Sequence, residues 1–327
     1  ILGDMAFNRA MADLSLGASV GRERLAMAQT PGGSGALRVI ADLIHAARPG
    51  AIVHAPDPTW ANHVPLLSGA GLTLKPYAYF DAAAGGVRFD AMMSDLGKAA
   101  AGDVVLLHGC CHNPTGADLD LAQWRAVSEL IAARGLLPLV DLAYLGLGRG
   151  LEEDAAGLRH LAAQVPEMAV AVSCSKNFSV YRERVGAALV LARNAQEAAL
   201  AQGRMSIVAR TMYSMPPDHG AAAVRKILED PALKAQWKGE LDSMRGRIQS
   251  LREGLATALA RLSNARDYGF VTRQSGMFSR LPLSEGQAER LRVEHRVYLV
   301  PDGRINIAGL TQANTDAFAQ AYVSTMA

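Results

Sequence analysis

Leu136-Leu137-Pro138-Leu139-Val140-Asp141-Leu142-Ala143-Tyr144 is apolar at nearly every position, and its carboxylate arrives only near the end. A strand with one wet face alternates apolar and polar residues. A strand apolar throughout is covered on both faces, as in a parallel sheet. The same texture recurs at 51–54, 103–108, Met168–Ser173 and 186–191, with helix-like stretches such as 121–133 between the runs. Strands alternating with helices predict a mostly parallel α/β sheet.

Outward from this centre, the chain has 327 residues, of which 50% are hydrophobic and 20% charged, enough for one large core or two unequal domains. Formal net charge is +2, with both signs dispersed, so neither nucleic acid nor an anionic membrane is the expected partner. No apolar run is long enough to span a bilayer. The opening Ile1-Leu2-Gly3-Asp4 lacks a basic segment followed by an apolar one, so no signal peptide is expected. It also lacks an initiator Met, which reads as a truncated or processed start. Cys110, Cys111 and Cys174 form no zinc spacing; reduced thiols in a cytoplasmic protein are expected, with no metal site.

Beyond Pro231 the texture changes. Trp237, Leu241, Met244, Ile248, Leu251, Leu255 and Leu259 recur at helical spacing and predict one long helix over 233–262. After it, 270–272, 276–279, 297–300 and 304–308 read as short strands, with a helix near 285–294. The expected division is a large domain over 1–243 and a smaller α+β domain over 244–327.

In open α/β sheets ligands sit at the carboxyl ends of strands. Thr30-Pro31-Gly32-Gly33-Ser34-Gly35 is a Gly-rich turn entering a helix, whose amides and Ser34 hydroxyl suit a phosphate. Trp60 follows the run 51–54, and a ring there can stack on a flat aromatic ligand. Asn113, in Asn113-Pro114-Thr115-Gly116, follows 103–108 and can donate to a ligand oxygen. Asp141 closes an apolar strand, where a carboxylate is costly unless it meets a cation such as a protonated pyridine nitrogen. Lys176 follows Ser173-Cys174-Ser175, with Arg184 eight positions on; an amine just past a buried strand suits a Schiff base. Alone, each feature has an ordinary reading as a turn, a packing ring or a surface charge. Together, in this order, they supply the protein's share of pyridoxal-phosphate chemistry.

The stretches QTPGGSGALRV, DPTWANH, VVLLHGCCHNPTGADL, PLVDLAYLGLGRGLEEDAAGLR, SCSKNFSVYRERVGA, YSMPPDHGA, GMFSRL and YLVPDGRINIAGL resemble the aspartate and aromatic amino-acid aminotransferases, class I, from about residue 21 to the C-terminus. The resemblance implies the PLP-dependent transferase fold: a mostly parallel seven-stranded sheet with helices on both faces, plus a smaller α+β C-terminal domain. It implies pyridoxal 5'-phosphate held by Lys176, which also moves the substrate proton. Asp141 would face the pyridinium nitrogen, with His63 and His108 behind it. Tyr144 and Asn113 would bond the phenolic oxygen, and Trp60 would stack on the ring. Gly33, Ser34, Ser173, Ser175 and Arg184 would hold the phosphate, Arg184 as a bidentate clamp. Arg304 would bind the substrate α-carboxylate, and Arg210 would reach from a partner subunit to a distal carboxylate. Phe278 would pack near the substrate. A homodimer with shared sites is implied, with amino acids and 2-oxo acids as substrates.

Some positions depart from that pattern. The family's N-terminal arm, and the part of its small domain that precedes this chain's start, have no counterpart here; Ile1 aligns where the family has a Tyr reaching the partner's phosphate. Arg280 interrupts an aromatic-rich run. Ser34 and Met215 stand where aspartate-selective members tend to carry Thr and Asn, which favours aromatic substrates. The expected activity is therefore amino exchange between an aromatic or dicarboxylic L-amino acid and 2-oxoglutarate, the aromatic side preferred. An aspartate aminotransferase is the alternative. The rivals are a decarboxylase or β-lyase on the same scaffold, and a PLP-binding protein impaired by its missing N-terminal segment.

Overall fold

The computed structural model describes residues 1–300 and 302–326; Pro301, inside YLVPDGRINIAGL, and Ala327 lie outside the described residues. In chain order the strands are β1 (Leu25–Pro31), β2 (Ile52–Asp57), β3 (Thr73–Ala78), β4 (Phe80–Asp81), β5 (Gly86–Val87), β6 (Val104–His108), β7 (Leu137–Leu142), β8 (Met168–Ser173), β9 (Val185–Leu191), β10 (Phe278–Arg280) and β11 (Arg304–Asn306). Seven of them form one sheet in the order β1-β9-β8-β7-β6-β2-β3. The run from β8 to β3 is parallel; β9 alone is reversed, antiparallel to both β8 and β1.

Period-two alternation sends each central strand's side chains into two different cores. Val105, Leu107, Val140, Leu142, Met168, Val170 and Val172 point to one face, with Trp124, Leu158, Leu161 and Leu241. Val104, Leu106, Leu137, Leu139, Ala169 and Ala171 point to the other, with Leu37, Ile40, Ile44 and Met205. Both faces are therefore covered by helices, which is why β7 and β8 are buried at every residue. On the second face Ala26, Ala28, Ala169, Ala171 and Ala188 keep the sheet shallow, and the helix Gly32–Ala47 packs across it.

The helix expected at 233–262 spans Pro231–Leu262, with the Asp230 carboxylate capping its first turn and Pro231 at its first position. The helix expected near 285–294 is Glu285–His295, started by a Ser284/Gln287 capping box. Several short expectations are corrected. Residues 270–272 belong to a helical turn, Phe270–Arg273, whose Phe270 and Val271 are buried. Residues 297–300 form no strand. The strand expected at 276–279 is Phe278–Arg280, and that at 304–308 stops at Asn306 before a 3-10 turn, Ile307–Gly309. In segments this short, packing against the long helix outweighs local preference. Strands β1 and β3, at the two edges of the sheet, were not among the expected runs.

Candidate active site

The carboxyl ends of β2, β6, β7 and β8 converge on a cavity of about 220 Å³ lined by Gly33, Ser34, Trp60, His108, Asn113, Asp141, Tyr144, Ser173, Ser175, Lys176, Tyr181 and Arg184, with Leu37 and Ala143. Register explains the meeting: His108 pairs with Asp141, and Asp141 with Ala171, so the carboxyl-terminal ends of three adjacent strands lie side by side. The structure thus brings together eleven of the residues singled out from the sequence.

At one end of the cavity a carboxylate is prepared for a cation. Asp141 is buried, and its Oδ2 lies 3.0 Å from His63 Nε2. Burial works to raise its pKa, but the His63 hydrogen bond, together with electrostatic interactions with the neighbouring His63, His108 and Lys176, outweighs it and holds the carboxyl below its ordinary value. The Thr59 hydroxyl joins His63 Nδ1 (2.8 Å) to His108 Nε2 (3.0 Å). His63 stands edge-on to both Trp60 and His108, each at 5.2 Å between ring centroids. Burial, then the neighbouring His112 and His63, push the His108 pKa well down, leaving a neutral ring beside the carboxylate.

At the other end an anion cradle is laid out. The helix Gly32–Ala47 begins with no acidic residue and no side-chain cap, so its first amides point towards the cavity with their partial positive charge unspent. Gly32 has φ +75°, and an added Cβ would lie 2.6 Å from Arg184 Nη2. A Cβ on Gly33 would lie 2.9 Å from Ser173 Cβ. Only glycine lets the helix start this close to Ser173 and Arg184. Arg184 itself has φ +55° and donates to the Tyr181 carbonyl at 2.9 Å.

Between the two ends Lys176 Nζ sits 4.5 Å from the centre of the Tyr144 ring. Burial lowers its pKa, Asp141 opposes that, and Arg184 adds to it; the net direction is down, towards a free amine. Asn113 Nδ2 donates to the Tyr144 hydroxyl at 3.3 Å, and Arg304 Nη1 donates to Asn113 Oδ1 at 3.2 Å. Arg304 also stacks on Phe278, 5.1 Å from the ring centre, and Phe278 stands edge-on to Tyr144 at 6.2 Å. Arg304 and Phe278 are therefore tied to the cavity through Asn113 and Tyr144 without lining it. Arg210 is elsewhere: it is exposed near the end of the helix Ala195–Met212, and Met215 is exposed just beyond.

An anion cradle, an amine, a carboxylate and a phenol–amide pair around one slot suit a flat pyridine bearing a phosphate, an aldehyde and a phenolic oxygen. The residues fit pyridoxal phosphate. Sequence reasoning missed Tyr181 as a lining residue; its only signal is its place between Lys176 and Arg184, a segment that has to wrap the cavity. Another buried group, Cys110, Cys111 and Asp154, lies apart from these roles, and the Asp154 oxygens are spent on the amides of Gly146, Gly148 and Arg149.

The family model for aminotransferase class I and II matches residues 1–321. An aromatic-amino-acid aminotransferase of Paracoccus denitrificans is 47% identical over 321 residues, 98% of this chain and 82% of that protein. An aspartate aminotransferase of Escherichia coli (strain K12) is 45% identical over 323 residues, again 98% and 82%. Among solved structures, an aromatic-amino-acid aminotransferase from Burkholderia pseudomallei, covalently bound to pyridoxal phosphate, superposes with a TM-score of 0.96 at 41% identity, covering 100% of this chain and 83% of that one.

Proposed function

This chain belongs to the aminotransferase class I and II family, and on that premise we propose a pyridoxal-phosphate transaminase that exchanges an amino group between an aromatic or dicarboxylic L-amino acid and 2-oxoglutarate, preferring the aromatic partner. The observation that carries the reading is the convergence of Lys176, Asp141 and Arg184 on one cavity, with Arg304 joined to it through Asn113.

When bound, the cofactor supplies an electron sink for the bond-breaking at the substrate Cα. The protein supplies the rest. Lys176 would hold the cofactor and serve as the base that takes the Cα proton and returns it; burial, opposed by Asp141, moves its pKa down, the direction a base requires. Asp141, its carboxyl held below the ordinary value with the help of the His63 hydrogen bond, would face the pyridine nitrogen and favour its protonated form. Tyr144 and Asn113 would hold the phenolic oxygen, and Trp60 would cover the ring. The helix start at Gly33 and Ser34, with Ser173, Ser175 and Arg184, would hold the phosphate. Arg304 fixes the amino acid by its carboxylate, so that orientation contributes to the rate.

Residues 1–243 serve as the cofactor domain and 244–327 as the smaller domain; the division falls within the helix Pro231–Leu262. Arg210 serves a second copy's substrate. Support comes from exposed apolar side chains on the same helix and just past its end: Leu200 at 69%, Ile207 at 57% and Met215 at 67% exposure, suited to a homodimer contact. No helix among the described residues is long and apolar enough to cross a membrane. A cytoplasmic location goes with this reading.

The test is the visible spectrum of the cofactor-loaded protein before and after L-tyrosine or L-aspartate. Conversion of the lysine-bound band to the aminated cofactor's band is expected, faster with tyrosine. A lysine-bound band that never converts would refute transamination and favour a binding-only protein. A large preference for aspartate would refute the aromatic assignment.

A further inference from the structure

We propose that Arg252, in the middle of the long helix Pro231–Leu262, is a positioning residue for the substrate-carboxylate site: it fixes the segment 271–279 and, through it, Phe278 and Arg304. The inference rests on the function proposed above, in which Arg304 receives the amino acid's carboxylate.

Arg252 is 3% exposed and forms no salt bridge among the described residues. A buried guanidinium with no carboxylate within salt-bridge distance is costly, and it persists only where its hydrogen bonds are met. All its partners lie in one short segment. Nε donates to the Gly276 carbonyl at 3.2 Å. Nη1 donates to the Val271 carbonyl at 2.8 Å and to Ser279 Oγ at 2.7 Å. Nη2 donates to the carbonyls of Ser275 (3.1 Å), Gly276 (2.7 Å) and Phe278 (2.6 Å). A planar fork with five N–H groups can gather carbonyls from residues seven apart and a hydroxyl one residue further on; a lysine, with three donors at one nitrogen, cannot gather the same set.

That segment touches the candidate carboxylate site by three routes. Strand β10 begins at Phe278 and pairs with β11, Arg280 opposite Arg304, so the strand bearing Arg304 hangs on the one Arg252 holds. The Phe278 ring carries the Arg304 guanidinium on its face. The Ser275 amide donates to the Gly116 carbonyl at 2.7 Å, and Gly116 ends the turn that begins with Asn113, the acceptor for Arg304. The fit there is close: a Cβ on Gly116 would lie 2.4 Å from the Phe278 carbonyl oxygen, and one on Gly276 would lie 2.4 Å from Cys111 Cβ. The same helix also grips the other side of the cavity, because Trp237 Nε1 donates to the Asn177 carbonyl, next to Lys176, at 2.8 Å. One rigid element therefore sets the lysine side and the arginine side against each other.

The test uses the cofactor-loaded protein and two measurements: KM and kcat for L-tyrosine, and the affinity of 3-phenylpropanoate, an unreactive carboxylate, by calorimetry. Arg252→Lys keeps the charge and loses the fork. It is expected to raise KM and weaken 3-phenylpropanoate together by about tenfold, the scale of one charged hydrogen bond, with kcat and cofactor affinity nearly unchanged. Ser279→Ala, a milder change on the same path, should move both in the same direction by a smaller factor. Phe278→Leu should weaken the carboxylate by itself, and combined with Arg252→Lys should cost less than the product of the two. A lowered melting temperature with KM and carboxylate affinity within about twofold of wild type would overturn the proposal and leave Arg252 a loop anchor only. Loss of cofactor affinity in parallel would overturn it as well. A wild-type protein that exchanges no amino group would instead sink the functional reading itself.

Discussion

Replacing Asn113 by Ala should separate the two halves of the site. Asn113 accepts from Arg304 at 3.2 Å and donates to Tyr144 at 3.3 Å, and it is buried. The first bond involves a charge, and such bonds contribute about 1.5–3 kcal/mol; the second is neutral and long, worth about 0.5 kcal/mol. Arg304 is only half-buried, so the low end of the first range applies. The sum, about 2 kcal/mol, corresponds to a loss of about 30-fold in kcat/KM. Most of the loss should appear in KM for the amino acid, because Arg304 loses the contact that aims it. The assay is stopped-flow absorbance of the first half-reaction over a range of L-tyrosine concentrations. Asn113→Asp extends the test: the new carboxylate competes for Arg304, so KM should rise above that of Asn113→Ala. An Asn113→Ala protein within about threefold of wild type would refute the argument that Asn113 couples Arg304 to the cavity.

Lys176→Ala should nearly abolish turnover, read as failure of the spectrum to convert within a wild-type half-life; retained activity would remove Lys176 as the base. The same variant carries a pH signature in the cofactor-free protein. The folded-state pKa of Lys176 lies below the ordinary value of 10.5, so in that window the unfolded chain binds more protons and wild-type stability climbs as pH rises towards 10.5. Melting curves of Lys176→Ala should lack that climb, and an identical climb in both proteins would refute the desolvation argument. Arg210→Leu should weaken L-aspartate by about tenfold or more, the scale of one lost charged hydrogen bond, and leave L-tyrosine nearly unchanged; equal losses in steady-state kcat/KM would exclude a role at the distal carboxylate.

The amino-acid sequence by itself determined the class of the fold. Runs such as 136–142 and Met168–Ser173 are apolar on both faces, and only a sheet buried between helix layers can hide them. It also placed Asp141, Lys176 and Asn113 at strand ends, because a polar group closing an apolar run is a local feature, visible without knowing its neighbours. The long helix was legible for the same reason: seven apolar positions at one period outweigh any single propensity. Only the tertiary structure decided the short elements. Residues 270–273 became a helical turn because Phe270 and Val271 are buried there and Arg252 accommodates the Val271 carbonyl, a partner 19 residues away. The bond from Arg304 to Asn113 spans 191 residues, and no local pattern announces it. In the sequence, nothing sets Arg252 apart from the other polar residues of the long helix. What makes it matter is a set of carbonyls gathered around it by packing, and chain connectivity, not residue type, decides which carbonyls those are.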